Sequence, residues 1–155
     1  MKHKTMANLL RVVIFLLVLC GLFIHVWWIP RLLGGGESLN IVTAEWVILA
    51  AVALVPCYGV TVIAWLVAGS IAKEQEFCHR NAARFRWIFG LALGDSAVFL
   101  IGSLILYLAG RAYVWCVLGA TVLGVLGVCV AIAAAVMSHL IDRAADMQDD
   151  ADLTI

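Results

Sequence analysis

The sequence predicts an all-α, polytopic membrane protein: an antiparallel bundle of four transmembrane helices with both termini in the cytoplasm. Three observations support this prediction. Hydrophobic residues make up 65% of the chain and charged residues only 13%, against about 45–50% and about 25% in soluble domains. The apolar residues lie in four long runs that contain almost no charge. Lys and Arg cluster at alternate ends of these runs, as they do in multi-pass membrane proteins.

The first predicted span covers residues 9–29 and ends before Pro30. A helix rises about 1.5 Å per residue, so about 20 apolar residues cross a hydrocarbon core of about 30 Å. A cleaved signal peptide is the alternative, because a basic start precedes the apolar run. The run is longer than a typical signal sequence, Leu19 rather than a small residue precedes Cys20, and no A-x-A-like site follows. We therefore expect an uncleaved span.

The second predicted span covers residues 44–72 and contains Pro56. Proline removes one helix hydrogen bond and clashes with the preceding turn, so we expect a kink there. Loop two, defined as residues 73–86, follows this span. Within loop two, Cys78–Arg86 is expected to form a helix continuous with the third span.

The third and fourth spans are predicted over residues 87–108 and 113–140. Only residues 109–112 separate them, which predicts a tight antiparallel hairpin. Residues 141–155 form an acidic tail with five Asp and one Arg, and we expect it to fray after about Met147. The spans occupy most of the chain, so we predict a single domain.

The distribution of Lys and Arg sets the predicted orientation, because cytoplasmic loops carry an excess of these residues. The N-terminal segment, loop two and the tail contain eight of the ten, whereas the other two loops contain one each, Arg31 and Arg111. Both termini and loop two are therefore predicted to face the cytoplasm. Aromatic residues mark the opposite interface: Trp27, Trp28, Trp46, Tyr113 and Trp115.

Small residues on the third and fourth spans mark positions where helices can pack closely. Gly90 and Gly94 form a GxxxG pair in span three, and Gly124 and Gly127 belong to runs of small residues in span four. Lipid gives no hydrophobic drive for helix association, so close approach of the backbones supplies packing energy. These glycines are predicted either to pack the four helices together or to leave one face for a homo-oligomer.

Asp95 is the charged residue that lies deep inside an apolar run, where it interrupts the third run between Trp87 and Gly110. It lies nine residues past Arg86, about 13 Å along a helix, where a carboxylate costs about 2.5–3.5 kcal/mol on insertion scales. It must therefore face other helices, be protonated or hold a partner. Counting along span two places Thr61 and Trp65 at the same depth, where their hydroxyl and indole N–H are candidate donors to Asp95.

Asp95 has three interpretations. A structural hydrogen bond would lock spans two and three together, and a proton or cation relay would make Asp95 the centre of a small transporter. A soft-metal site with Cys20 and Cys129 is disfavoured, because no histidine lies at that depth. A bis-histidine haem would need two histidines at matching depth, and the candidates, His79 and His139, both lie in or beside water. The sequence therefore predicts no metal and no cofactor.

The predicted cytoplasmic surface is the second candidate site. Loop two has four basic and two acidic residues, and the tail that follows span four is acidic. Lipid contact is one explanation, because a basic group beside an anionic leaflet gains about 1 kcal/mol. The other is a docking surface for a cytoplasmic protein, with candidate residues Phe77, Arg80, Asn81, Arg84 and Arg86. Direct nucleic-acid binding is not expected, since a few arginines held at a bilayer read a groove poorly.

Residues 71–91, IAKEQEFCHRNAARFRWIFGL, resemble the middle segment of a family of small four-span bacterial membrane proteins, the domain-of-unknown-function 2975 type. Members have about this length and a loop with a phenylalanine, an asparagine and a basic–Leu–Arg sequence before an apolar span. The matching residues are Phe77, Asn81, Arg84 and Arg86. The departures are Phe85, where leucine is usual, and Glu74-Gln75-Glu76 in place of a glycine.

The resemblance implies a regulatory or sensing role with a soluble partner and no known catalysis, because such genes often lie beside one for a small helix-turn-helix regulator. The residues themselves show no paired carboxylates, nucleophile triad or Gly-rich phosphate loop, so we predict no enzyme activity. We expect a protein of the bacterial cytoplasmic membrane that senses or scaffolds through loop two. The alternatives are a small transporter or proton-coupled subunit that uses Asp95, and an auxiliary subunit of a larger membrane complex.

Overall fold

The computed structural model of the protein describes residues 2–28, 44–71 and 78–153. These residues form four long helices, and no β-strand occurs among them. The prediction of an all-α fold is therefore confirmed. The predicted first loop and Phe77 lie outside the described residues.

The four helices are named in chain order. Their bounds are α1, Lys2–Phe23; α2, Ala44–Ile71; α3, His79–Leu108; and α4, Val114–Leu153. A π-helical segment, Ile24–Trp28, extends α1.

Each of the four helices is long and apolar enough to cross a membrane. Large apolar side chains on their outer surfaces, such as Leu16, Val62 and Ile132, are more than half exposed. Exposure to water would cost about 25 cal/mol per Å² of apolar surface, whereas lipid chains cover such side chains without that cost. The interior instead holds small residues, among them Ala68 and Ala131. The protein is a four-helix membrane protein, as predicted.

Helices α3 and α4 both extend beyond the predicted spans. The start of α3 at His79 confirms the expected helical continuation of loop two into span three. At the other terminus, α4 continues to Leu153 instead of fraying after Met147. Ile141 and Ala145 of the predicted tail are buried, so packing holds the first turns of the tail in the helix. The first turns of the tail are therefore part of the bundle.

The helices pack in chain order: α1 on α2, α2 on α3 and, most extensively, α3 on α4. The contacts between α2 and α3 run in reversed order, since Leu49 meets Gly102 whereas Gly59 meets Leu91. The same reversed order relates α1 to α2 and α3 to α4. The bundle is therefore antiparallel, while the side of the membrane on which the termini lie stays a prediction.

A short turn joins α3 to α4, as the sequence predicts. Gly110 has a φ of 69°, a left-handed conformation that glycine adopts without steric strain at the end of a helix. In the same turn, Arg111 forms an ion pair with Glu45 at the start of α2. This contact ties the turn to a third helix at that end of the bundle.

Gly124 and Gly127 allow α3 and α4 to approach each other closely. A Cβ atom added at Gly124 would lie 2.5 Å from Cγ of Leu100, and one added at Gly127 would overlap the hydroxyl of Ser96. Small residues at such points bring helix backbones together and increase the packing contacts between them. Both glycines therefore pack helices within one chain.

Gly90 and Gly94 lie on a different, exposed face of α3. A Cβ atom added at either position would have no neighbour within 4 Å among the described residues. This GxxxG pair does not pack against another described helix, so its role as a face for a homo-oligomer stays a prediction.

We expect Gly124→Val to lower the free energy of unfolding by about 1–3 kcal/mol relative to Gly94→Val, because only the first substitution overpacks the α3–α4 contact. Both variants replace glycine by valine within a helix, so the change in intrinsic helix propensity is the same in each and cancels in the comparison. The measurement is thermal unfolding of the purified protein in detergent, followed by circular dichroism. Equal Tm values for the two variants would contradict the close packing at Gly124.

Candidate functional site

A cavity of about 330 Å³ lies among the described helices, and all four helices contribute residues to its wall. Most of the wall is aliphatic, with Leu17 of α1, Leu54 of α2 and Val130 of α4 as examples. Asp95 is the charged residue of this wall. We call this space the Asp95 cavity.

The helices place Asp95 in this wall through their antiparallel packing. Asp95 lies near the middle of α3, and Pro56 and Cys57 lie near the middle of α2, which is continuous through the proline. Gly21 and Gly127 also line the cavity. A Cβ atom added at Gly21 would lie 3.2 Å from the ring of Tyr58, and one added at Gly127 would overlap the hydroxyl of Ser96, so both glycines let neighbouring helices approach closely at this wall.

The two carboxylate oxygens of Asp95 have different surroundings. Cys57 Sγ lies 3.8 Å from Oδ2, in the position of a weak S–H donor. Oδ1 is buried and has no hydrogen-bond partner among the described residues. The hydroxyl of Tyr58, another residue of the wall, is likewise buried without a partner there. Buried polar atoms in proteins are normally hydrogen-bonded, so these two require an explanation.

Thr61 and Trp65, the donors that the sequence suggests for Asp95, make other contacts. Thr61 does line the cavity, but its hydroxyl donates to the backbone oxygen of Tyr58 at 2.7 Å. Trp65 is 45% exposed, and its ring lies 5.5 Å below the guanidinium of Arg11. Matching residues by their depth in the membrane therefore identifies Thr61 as a residue of the wall, but it does not identify the donor to Asp95, which is Cys57.

Sequence reasoning missed Cys57 and Tyr58 as residues of the site. Cys57 precedes Thr61 by four residues, and residues four apart share one face of a helix. The spacing therefore indicates that Cys57 shares a helix face with Thr61, and it could have identified Cys57 as a residue of the site.

The described residues contain no group of three or more His, Cys, Asp or Glu side chains that could hold a metal.

A second polar cluster lies where α2 ends and α3 begins, and it is centred on Arg84. Arg84 Nη1 donates to the backbone oxygen of Leu66 at 3.1 Å, to Ser70 Oγ at 2.7 Å and to Asn81 Oδ1 at 2.8 Å. Asn81 is only 1% exposed. We call this arrangement the Arg84 cluster; it fastens α3 to α2 by satisfying buried polar groups.

Helix α4 is fastened to the start of α3 by further polar contacts. Ser138 Oγ donates to the backbone oxygen of Ala82 at 2.9 Å. Arg86 Nη2 lies 2.8 Å from Asp142 Oδ2, and His79 Nδ1 lies 3.2 Å from Asp142 Oδ1. These contacts answer a question that the sequence leaves open, because they pair the acidic tail with loop two.

We call one charged face of the protein the polar end; it is formed by His79, Arg80, Arg86, Asp142 and Asp146. His79 Nε2 also lies 3.6 Å from Asp146 Oδ1, and both side chains are more than half exposed. Exposed ion pairs are worth only about 0–1 kcal/mol. The ion pairs of the polar end therefore add little to the free energy of unfolding, although this face carries several charges.

The structure divides the predicted docking residues. Arg80 and Arg86 lie on the exposed face, whereas Asn81 and Arg84 point inward to the Arg84 cluster. Sequence reasoning noted the acidic tail as a whole but missed Asp142 and Asp146 individually. Their spacing of four residues indicates a shared face only once the tail is known to be helical.

Comparisons with known proteins give one finding. The family model described as "Protein of unknown function (DUF2975)" matches residues 6–155, nearly the whole chain. The resemblance seen in residues 71–91 is therefore confirmed and covers all four helices. No curated protein and no solved structure matches the chain.

Arg84→Met is expected to lower the free energy of unfolding by about 1–3 kcal/mol, because Asn81 Oδ1 and the two α2 acceptors lose a charged donor in a buried setting. Arg80→Met is the matched control, since Arg80 is exposed on the same turn of α3. Thermal unfolding in detergent measures both variants. If the two variants have the same Tm, the Arg84 cluster does not fasten α3 to α2.

Proposed function

This chain belongs to the DUF2975 family of proteins of unknown function, and we propose that it is a non-enzymatic regulatory protein that binds a soluble partner through its polar end. In this proposal the protein lies in the bacterial cytoplasmic membrane, with both termini and loop two in the cytoplasm. The excess of Lys and Arg in those segments supports this orientation.

The observation that carries the proposal is the combination of exposure and rigidity at the polar end. Arg80, Arg86 and Asp146 are exposed, while the Arg84 cluster fastens the start of α3 to α2. A preorganised surface loses less conformational entropy when a partner binds. Because the surface carries both signs of charge, a soluble protein with complementary charges would dock in one register.

The geometry of the Asp95 cavity supports a role without catalysis. Cys57 Sγ lies 3.8 Å from Asp95 Oδ2, and among the described residues no third side chain is seen to orient either group. Nucleophilic catalysis uses a nucleophile, a base and a group that orients the base. A binding role is therefore a better fit to this pair than covalent chemistry.

An exchange of charges between Arg86 and Asp142 tests the docking proposal. In the double variant Arg86→Asp, Asp142→Arg the ion pair within the chain can form again, but the charge pattern that a partner meets is reversed. We expect the double variant to keep the wild-type Tm and to lose its soluble partner by about tenfold or more, because charge complementarity sets specificity. Quantitative mass spectrometry of proteins that copurify from detergent-solubilised membranes provides the measurement.

The matched control is the same exchange at the opposite end of the bundle, Glu45→Arg with Arg111→Glu. These two residues also form an ion pair between helices, and this variant is expected to retain the partner. Retention of the partner by the polar-end exchange would contradict the proposal. Failure of both wild type and control to enrich any soluble protein would contradict it as well.

A second candidate function is a small transporter or proton-coupled subunit that uses Asp95. The observation in its favour is the buried Oδ1 atom without a hydrogen-bond partner among the described residues. Ionisable residues inside transmembrane segments are rare and often mark ion or proton pathways. The carboxylate would bind the transported ion or proton near the middle of α3.

Under this second candidate, Asp95→Asn should reduce proton or cation flux into proteoliposomes by about tenfold or more, because the amide cannot carry the charge. Asp142→Asn is the control, since it removes a carboxylate from the polar end and leaves the cavity unchanged. Flux is followed with a pH-sensitive or cation-sensitive dye inside the vesicles. The transport function fails if wild type gives no more flux than empty vesicles, or if Asp95→Asn matches wild type.

A further inference from the structure

We infer that the Asp95 cavity binds a small hydrophobic amine in its protonated, ammonium form. This inference goes beyond docking at the polar end and is independent of it. It deepens the second candidate function by naming a class of ligand, yet it requires binding only and no transport.

The size and wall of the cavity select the body of the ligand. A volume of about 330 Å³ is at the small end of the range of about 300–1,000 Å³ that is typical of ligand sites. Leucine, valine, proline and glycine form most of the wall. Such a wall favours an apolar body, because a polar metabolite would lose its hydration without gaining hydrogen bonds.

Asp95 selects the head group of the ligand. Its Oδ1 atom is buried and lacks a donor among the described residues, so the carboxylate retains capacity to accept a hydrogen bond from an ammonium N–H. The resulting hydrogen bond is charge-assisted and is stronger than one between neutral groups. The apolar wall also lowers the local dielectric constant, which strengthens the attraction between opposite charges.

Tyr58 provides a second feature that suits a cation. It lines the same cavity, and its hydroxyl is buried without a partner in the described part of the chain. A phenol oxygen can accept a hydrogen bond from an ammonium N–H. A carboxylate and a phenol hydroxyl in one apolar wall are therefore complementary to a cation that carries its own apolar body.

An inorganic cation is a poorer fit to the same cavity. Calcium requires about six to eight oxygen ligands, and magnesium usually retains several waters. The polar atoms of the wall are few, and the Thr61 hydroxyl already donates to a backbone oxygen. The described residues also hold no group of metal-ligating side chains. An organic ammonium needs only one carboxylate, so it matches the groups that are present.

The test is isothermal titration of the full chain in detergent with phenethylamine, which is protonated at neutral pH. Phenethyl alcohol is the neutral comparison ligand, and empty micelles are the blank. We expect phenethylamine to bind wild type and Asp142→Asn equally, and Asp95→Asn about tenfold or more weakly, because the amide removes the charge-assisted hydrogen bond to the ammonium group. Phenethyl alcohol should not distinguish Asp95→Asn from wild type.

A second variant keeps the inference testable if Asp95→Asn fails to fold. Val60→Trp retains the carboxylate but fills part of the cavity that Val60 lines, so it should abolish binding of phenethylamine while circular dichroism shows a folded helical protein. Equal affinity of phenethylamine for wild type and folded Asp95→Asn would overturn the inference. Absence of binding to wild type beyond the micelle blank would overturn it too, as would undiminished binding to Val60→Trp.

Titration and flux separate this inference from the second candidate function. Binding of phenethylamine that depends on Asp95, in a protein that carries no flux, supports the ligand class and removes the transport function. Flux that depends on Asp95, in a protein that does not bind phenethylamine, supports transport and overturns the ligand class.

Discussion

The close approach of α3 and α4 at Gly124 and Gly127 is the constraint on which the rest of the structure depends. With no side chain at either position, Leu100 and Ser96 of α3 contact the backbone of α4, and the two antiparallel helices take one register. That register places Gly127 and Asp95 in one cavity wall. It also places Asp142 opposite Arg86 at the other end of the same contact. Both candidate sites therefore depend on the close helix contact that these two glycines allow.

Two polar groups within this apolar bundle differ in how completely they are satisfied. Arg84 donates to three acceptors on two helices, and one of them belongs to the buried Asn81. These polar groups are hydrogen-bonded within the chain, so the network needs no ligand to satisfy it. Asp95 has only a weak contact from Cys57 and one oxygen without a partner in the described residues. That difference is why the cavity, rather than the Arg84 cluster, is assigned a ligand.

The sequence predicts the four helices, the short hairpin turn and the helical start of α3 with little more than length and composition, whereas the family rests on the resemblance of residues 71–91. A span must be about 20 apolar residues long to cross the hydrocarbon core, which is a local property that can be read along the chain. Asp95 stands out for the same reason, since a charge is costly at that depth. The continuation of α4 into the acidic segment could not be predicted in this way, because Ile141 and Ala145 of that segment are buried by packing in the folded protein.

What the sequence determined by itself is therefore the number and order of the helices and the presence of one carboxylate deep within the apolar spans. Only the tertiary structure decided that Cys57 rather than Thr61 contacts Asp95, and that Asn81 and Arg84 point inward while Arg86 meets the tail. The physical reason is that these helices are apolar on nearly all sides. Such a helix lacks the polar stripe that would reveal which face it buries, so its rotation and its neighbours follow from packing.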